Sequence, residues 1–217
     1  KRHVDVVQNI LQKVYDKGDI YEDNYEGLYS VSEERFITEK EADSGDFRDI
    51  KKLKEKNYFF KMSKYQEKLI SHIENNSKFI QPVHRKNEVL GFLKSPLNDL
   101  CISRPKSRLN WGIELPFDSD YVTYVWFDAL INYVSALGFD SDEKKYNTYW
   151  PASLHLIGKD ILTTHSVYWP TILLSAGIKL PKTIFAHGWW LNDQSKMSKS
   201  VGNVVDPLQL IKSYGVD

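Results

Sequence analysis

One cysteine, Cys101, stands in 217 residues. That scarcity excludes any disulfide within the chain and any zinc knuckle built from cysteines, and it suits a reducing compartment. An excess of one charge is also missing. Lysine plus arginine and aspartate plus glutamate number 29 each, so the formal net charge is zero. With no global field to draw in a polyanion, any phosphate-bearing ligand has to be met by local charge. Long apolar runs are absent too. The most apolar stretch, Val167 to Leu180, contains Pro170 and falls short of the ~20 residues of a membrane helix. Lys1-Arg2-His3 leads straight into a helical pattern without the apolar core of a signal peptide. There is no initiating methionine and the chain ends soon after a helix, so it reads as a fragment of a longer protein. No repeat or low-complexity tract is visible. What is present, 41% hydrophobic and 13% aromatic residues, suffices for one or two packed domains.

Val4, Val7, Leu11 and Val14 recur at helical spacing, with Gly18 as a stop. Residues 19–60 look different: tyrosines sit among acidic residues, with short strand-like pieces such as Gly27 to Val31. Glu39 to Lys56 is highly charged and reads as a loop or a reduced β-subdomain. Ser63 and Gln66 fit a capping box opening a helix with Leu69, Ile70 and Ile73 on one face. A second short helix follows Pro82 and carries Val89, Leu90 and Leu93. Ile102 to Leu115 reads as extended, broken at Arg104-Pro105 and Trp111-Gly112. From Tyr121 the pattern changes. Tyr121 to Phe127 reads as a strand, Asp128 to Leu137 as a helix, Leu154 to Gly158 as a strand, the run from Asp160 as a helix, and Thr183 to Trp190 as a strand. That alternation implies parallel β-α units. Asp206-Pro207 caps a last helix, which Gly215 closes.

In open parallel sheets, ligands sit beyond the carboxyl ends of the strands. Trp126, Leu130 and Tyr133 fall at i, i+4 and i+7 after the first strand, and His165 and Trp169 at i and i+4 after the second. Each set shares a helix face. Either set alone is ordinary core filling; both together at strand ends point to an apolar pocket with one hydrogen-bonding wall. A thioether fits such a pocket, because sulfur packs against aromatic rings at about 0.3–1.5 kcal/mol per contact. Asp160, beyond Gly158-Lys159, suits either the vicinal hydroxyls of a ribose or the cap of its own helix. At the end of the third strand, the backbone of His187-Gly188-Trp189-Trp190 can read an adenine edge. The side chains of Trp189 and Trp190 are expected to pack beneath the loop that follows. Arg104 is expected to be a structural cation, the alternative being a place in the cleft.

That following loop is Lys196-Met197-Ser198-Lys199-Ser200, with Val201-Gly202-Asn203 behind it. Lysine is a mobile point charge with three donors, suited to phosphate oxygens whose charge shifts during reaction. Lys-Ser-Lys patterns also occur on solvated surfaces. The whole pentapeptide behind a β-α-β-α-β run favours the phosphate role.

The loop matches the signature of class I aminoacyl-tRNA synthetases. Further stretches are Tyr58 to Tyr65 (YFFKMSKY), Ile102 to Pro105 (ISRP), Tyr124 to Tyr133 (YVWFDALINY), His155 to Ile161 (HLIGKDI) and Phe185 to Trp190 (FAHGWW). On this set the chain resembles the bacterial or organellar methionyl-tRNA synthetases across nearly its whole length. The resemblance implies an α/β fold, the second half of a class I synthetase Rossmann-like parallel sheet preceded by a connective-peptide α+β insertion. Residues 1–18 would end the first half and 19–118 form the connective domain. Residues 119–195 would form the second half, and 196–217 the lysine loop with its helix.

The resemblance also implies site roles. Trp126, Leu130, Tyr133, Thr164, His165 and Trp169 fall at methionine-binding positions, Thr164 replacing the phenylalanine of some relatives. Gly158, Asp160, His187, Gly188, Trp190 and Lys199 fall at ATP-binding positions, and Lys196 and Lys199 at catalytic ones. Implied ligands are L-methionine, ATP with Mg2+, and tRNA(Met). The implied location is the cytoplasm, or the mitochondrial matrix for an organellar form. Two departures stand out. The family's His-x-Gly-His motif occurs nowhere in these residues, so they hold an incomplete active site. The connective segment lacks cysteines, so no structural zinc is expected. Valyl, leucyl and isoleucyl types share the loop, but the span from Gly18 to Tyr121 is small for their editing domain. A cysteinyl type lacks its zinc ligands here. A non-catalytic nucleotide- or RNA-binding fragment is the alternative from another class.

Overall fold

Five apolar side chains, Val6, Val7, Ile10, Leu11 and Val14, are buried along one face of helix α1 (Arg2–Asp16). The 3.6-residue period dictates that face. Val4, expected on it, stays 37% exposed at its edge. Gly18 ends the helix at φ +73, where a side chain would be strained. The chain is seen as a computed structural model that describes residues 1–30, 35–37, 42–43, 49–192, 195–197 and 202–216.

After α1, strands β1 (Ile20–Ser30) and β3 (Ile50–Phe60) run antiparallel over their full eleven residues. Strand β2 (Arg35–Ile37) flanks β1 and β5 (Leu100–Cys101) flanks β3. The sequence reading had only short pieces and a loop or β-subdomain here. The long ribbon was hidden because charged residues, lysines on β3 facing acidic residues on β1, replace the alternation of apolar and polar residues over much of its length. Lys56 meets Glu22 at 2.5 Å, and Lys52 meets Glu26 at 3.2 Å across the strands. These pairs are open to water and fix register more than they stabilise. Val31, Ser44 and Gly45 lie outside the described residues.

The capping box does not form. Ser63 belongs to a 3-10 turn (Ser63–Tyr65), and its hydroxyl donates to Asp99 at 2.6 Å. The Gln66 side chain donates to the carbonyls of Leu93 and Ser95 and accepts from the Leu97 amide. Both polar groups therefore serve tertiary closure rather than the end of α2 (Gln66–Asn75). Helix α3 (Val83–Phe92) follows Pro82 as expected.

The strand expected at Tyr121 to Phe127 occupies Asp118–Thr123 instead (β8), and Val125, Trp126 and Phe127 open helix α4 (Val125–Ser135). Burial decides this, because Phe127, Leu130, Ile131 and Val134 form a helical stripe into the core. Strand β8 joins no parallel sheet. It pairs antiparallel with β6 (Ser103–Pro105) and β7 (Glu114–Leu115). The parallel sheet is β4–β10–β9, built from Ile80–Gln81 (β4), Ile184–His187 (β10) and His155–Gly158 (β9). The α/β class thus stands, while its third parallel strand comes from the segment between α2 and α3.

Asp19 bolts these parts together. Its buried carboxylate accepts from Lys64 at 2.5 Å, from the Tyr65 hydroxyl, and from the Ser175 hydroxyl at 2.7 Å. Burial alone would raise its pKa, but the hydrogen bonds from Lys64, Tyr65 and Ser175 prevail and hold it below the ordinary carboxylate value. Arg104 is a structural cation, as expected: it is buried and stacks on Tyr124, 4.5 Å from the ring centre. At the far end, the Asp206 carboxylate accepts from the Leu208 amide at 2.9 Å and caps helix Pro207–Tyr214.

Candidate functional site

Helix α4 and the segment after β9 meet through aromatic rings. That segment begins as a 3-10 turn (Lys159–Ile161), widens into a π turn (Thr164–Tyr168) and becomes helix α5 (Trp169–Ala176). Pro170 explains the widening: it has no N–H to donate back to the preceding turn, so the ladder loosens there. The Thr171 hydroxyl donates to the carbonyls of Val167 and Tyr168, both at 2.9 Å.

His165 and Trp169 are both buried on this segment. His165 Nδ1 lies 3.0 Å from the carbonyl oxygen of Ile161. A carbonyl only accepts, so Nδ1 carries the proton and Nε2 is the acceptor. The Tyr133 hydroxyl accordingly donates to His165 Nε2 at 2.9 Å. The Trp169 indole N–H donates to Nε2 of a second histidine, His155, at 3.3 Å. His155 begins β9 and is buried. Its ring lies 4.3 Å from that of Tyr133, and Trp150 lies 6.1 Å from both His155 and Trp169. Burial and then the neighbouring His165 push the His155 pKa down to about 4. Burial also lowers that of His165, against the opposing bond to Ile161. Both imidazoles are therefore neutral acceptors near pH 7.

Of the residues singled out in the sequence, Tyr133, His165 and Trp169 come together. Leu130 is buried in the core on the same helix. Trp126 is half-buried at the start of α4 and pairs with none of these rings among the described residues. Thr164 is buried on the π turn beside His165. Sequence reasoning gave His155 and Trp150 no role. The signal for His155 was available: it alternates with Ile157 on the inward face of β9.

A second group sits at the carboxyl ends of β9 and β10. Gly158 and His187 are register partners in neighbouring parallel strands. Asp160 accepts from the Trp189 indole N–H at 2.6 Å, and the Lys159 ammonium stands 3.5 Å over the Trp189 ring. His187 Nδ1 donates to the Gly188 carbonyl at 2.6 Å. Trp189 therefore packs against Lys159 and Asp160 at the strand ends; the lysine loop it was expected to pack beneath lies, beyond Met197, outside the described residues. The Trp190 side chain is 71% exposed among the described residues; most of the loop expected above it lies outside them. Its carbonyl accepts the Met197 amide at 3.1 Å. Leu191–Asn192 pairs antiparallel with Ser195–Lys196, which ties the backbone of Lys196 to the end of β10. Asn192 donates to the Asn203 carbonyl at 2.9 Å, and Asn203 donates to the Ser195 hydroxyl at 3.0 Å. Lys199 lies outside the described residues, as does the side chain of Lys196.

A parallel sheet edge with a cluster of aromatic side chains, an acidic strand end and the base of a lysine loop fits the layout of a class I tRNA synthetase. The family model for "tRNA synthetases class I (M)" matches residues 1–45 and 45–217. The chain belongs to that family. It is 52% identical over 221 residues to methionine–tRNA ligase of Clostridium perfringens, covering 99% of this chain and 34% of that protein. It is 49% identical over 220 residues to the enzyme of the same name from Rickettsia conorii, covering 100% of this chain and 43% of that one. Its fold matches Mycobacterium tuberculosis methionyl-tRNA synthetase bound by methionyl-adenylate with a TM-score of 0.88 at 45% identity. That match covers 100% of this chain and 44% of the other. The free form of that enzyme matches with a TM-score of 0.85 at 42% identity. The chain thus spans between a third and a half of the length of these relatives. The valyl, leucyl and isoleucyl types are not favoured by any of these likenesses.

Proposed function

We propose that the protein carrying this chain is a methionine–tRNA ligase, which joins methionine to ATP as an adenylate and then esterifies tRNA(Met). The observation that carries this is the sharing of one sheet edge. His165 and Trp169 follow β9 and meet Tyr133 of α4, Gly158 and Asp160 stand at the carboxyl end of β9, and the base of the lysine loop follows β10. Methionine's thioether would lie against the rings, with Trp126, Leu130 and Thr164 completing the wall. Asp160 would accept from the ribose, and the backbone at His187, Gly188 and Trp190 would read the adenine. A methionine carboxylate oxygen attacks the α-phosphate and pyrophosphate leaves, so charge moves onto the phosphate chain. Lys196 and Lys199 would hold that charge in the transition state.

Mg2+ would arrive with ATP as part of the substrate. Among the described residues, no group of three His, Cys, Asp or Glu side chains stands ready to hold a metal. We retain the domain division at 18, 118 and 195, with Ile80–Gln81 reaching from the connective part into the parallel sheet, a connective domain without zinc, and a cytoplasmic or mitochondrial-matrix location as parts of the proposal. Among the described residues, no helix is long and apolar enough to cross a membrane.

The test is methionine-dependent exchange of pyrophosphate into ATP by the full-length protein. Lys196→Ala and Lys199→Ala should each slow exchange by roughly a hundredfold or more, the scale of losing one preorganised donor. Nucleotide or tRNA binding with no exchange in the unsubstituted protein would favour the non-catalytic reading instead.

A further inference from the structure

We propose that His155 is a positioning residue that fixes the two hydrogen-bonding walls of the methionine pocket and so sets its affinity for the amino acid. This rests on the functional reading above and goes beyond it, since His155 is given no ligand-binding role there. The indole nitrogen of Trp169 is a donor only, and Trp169 is fully buried. Its acceptor is His155 Nε2 at 3.3 Å. The other flank of the same imidazole packs on the Tyr133 ring at 4.3 Å, while the Tyr133 hydroxyl is engaged by His165. One side chain therefore holds the indole by a hydrogen bond and backs the phenol by contact.

Replacing His155 with an apolar group of similar size keeps the contact and removes the acceptor. The buried indole N–H then has to turn towards another partner, and the pocket wall turns with it. The acceptor role requires a neutral ring. Burial supplies this, with His165 and Tyr133 as the titratable groups facing His155. Nothing in this arrangement touches the strand ends proposed for ATP, so its effect should fall on one substrate alone.

The experiment uses the full-length protein and measures exchange as a function of methionine and of ATP separately. His155→Phe should raise KM for methionine about tenfold, a scale that small misplacements at sites can reach, and leave kcat and KM for ATP within about twofold. His155→Gln, whose amide oxygen accepts, should restore most of the affinity. Placed on a Trp169→Phe background, which removes the donor, His155→Phe should add little further, because the two changes break the same bond. The inference is overturned by an unchanged methionine KM in His155→Phe, by equal losses in His155→Gln and His155→Phe, or by parallel rises for both substrates. If His155→Phe does not fold, His155→Asn takes its place: its acceptor is set back by one bond and must weaken methionine where glutamine does not. Exchange that ignores methionine in the unsubstituted protein refutes the functional reading. Methionine-dependent exchange that Trp169→Phe impairs but His155→Phe does not refutes the role of His155 alone.

Discussion

Tyr133 donates its hydroxyl to Nε2 of His165 at 2.9 Å, while His165 gives its own proton, from Nδ1, to the carbonyl of Ile161 at 3.0 Å. The carbonyl fixes the tautomer, and the tautomer fixes the direction of the tyrosine bond. Nitrogen-15 spectra of the imidazole should show a neutral ring protonated at Nδ1 near pH 7. Tyr133→Phe leaves a buried acceptor without its donor and should cost about 1–3 kcal/mol in urea unfolding, beyond any effect on methionine. A ring protonated at Nε2 would rule out this orientation.

Acid should unfold the protein in a window set by the buried histidines. His155 is held near pKa 4 against an ordinary 6.5, and His165 is shifted in the same direction. The unfolded chain therefore takes up the proton first. The stability due to His155 is complete above pH 6.5 and is lost as pH falls through about 4. The depression of its pKa corresponds to about 2–4 kcal/mol. Urea midpoints measured across that range should decline, and His155→Gln, which accepts but does not titrate, should flatten part of the slope. An unchanged slope in that variant would count against the assignment.

Asp19 should matter in a lower window. Its carboxyl is depressed below 3.8, so its contribution is present above that value and disappears as pH falls further. Its partners come from the segment after β3 and from α5, through Lys64, Tyr65 and Ser175. Asp19→Ala should destabilise by about 2–4 kcal/mol, because three donors lose a buried acceptor at once. Asp19→Asn, which keeps one acceptor oxygen, should cost less. Denaturation of the two variants side by side checks the order.

The parts of this fold that could be read from residue order are those where local and global signals agree. Pattern and burial coincide in α1 except at Val4, and the Asp206 cap forms as its sequence implies. The errors arose where tertiary partners outbid local grammar. Ser63 and Gln66 fit a capping box, but Asp99 and the Leu93–Leu97 turn claim them. Tyr121 to Phe127 has uniform strand propensity, yet the core claims Phe127 as part of a helix. Helical spacing aligns His165 with Trp169 and Tyr133 with Leu130, and their expected places at strand ends put the two sets together. Alternation in β9 marks His155 as inward-facing, but nothing local links it to Trp169 across the intervening turn. The partners of Trp189 were hidden for a similar reason: Lys159 and Asp160 come from the neighbouring strand end.

That Trp189 contact yields a prediction about the nucleotide side. The indole does two separable things: its N–H donates to Asp160 at 2.6 Å, and its face carries the Lys159 ammonium at 3.5 Å. The cation on an exposed ring contributes about 0.5–1 kcal/mol, enough to bias the ring without locking it. The hydrogen bond aims one oxygen of the carboxylate proposed to meet the ribose. Trp189→Phe keeps the face and removes the N–H, so Asp160 loses an orienting donor and KM for ATP should rise about three- to tenfold, the scale of one modest hydrogen bond. Trp189→Ala also frees Lys159, and its loss should be larger. Methionine KM should stay level in both, because the Tyr133–His165–Trp169 group is held by other bonds. Initial-rate exchange over a range of ATP concentrations decides the matter. An ATP KM unmoved in both variants means that Asp160 needs no help from Trp189. A rise confined to alanine means that the ring face over Lys159, rather than the indole N–H, is what prepares the strand end for the nucleotide.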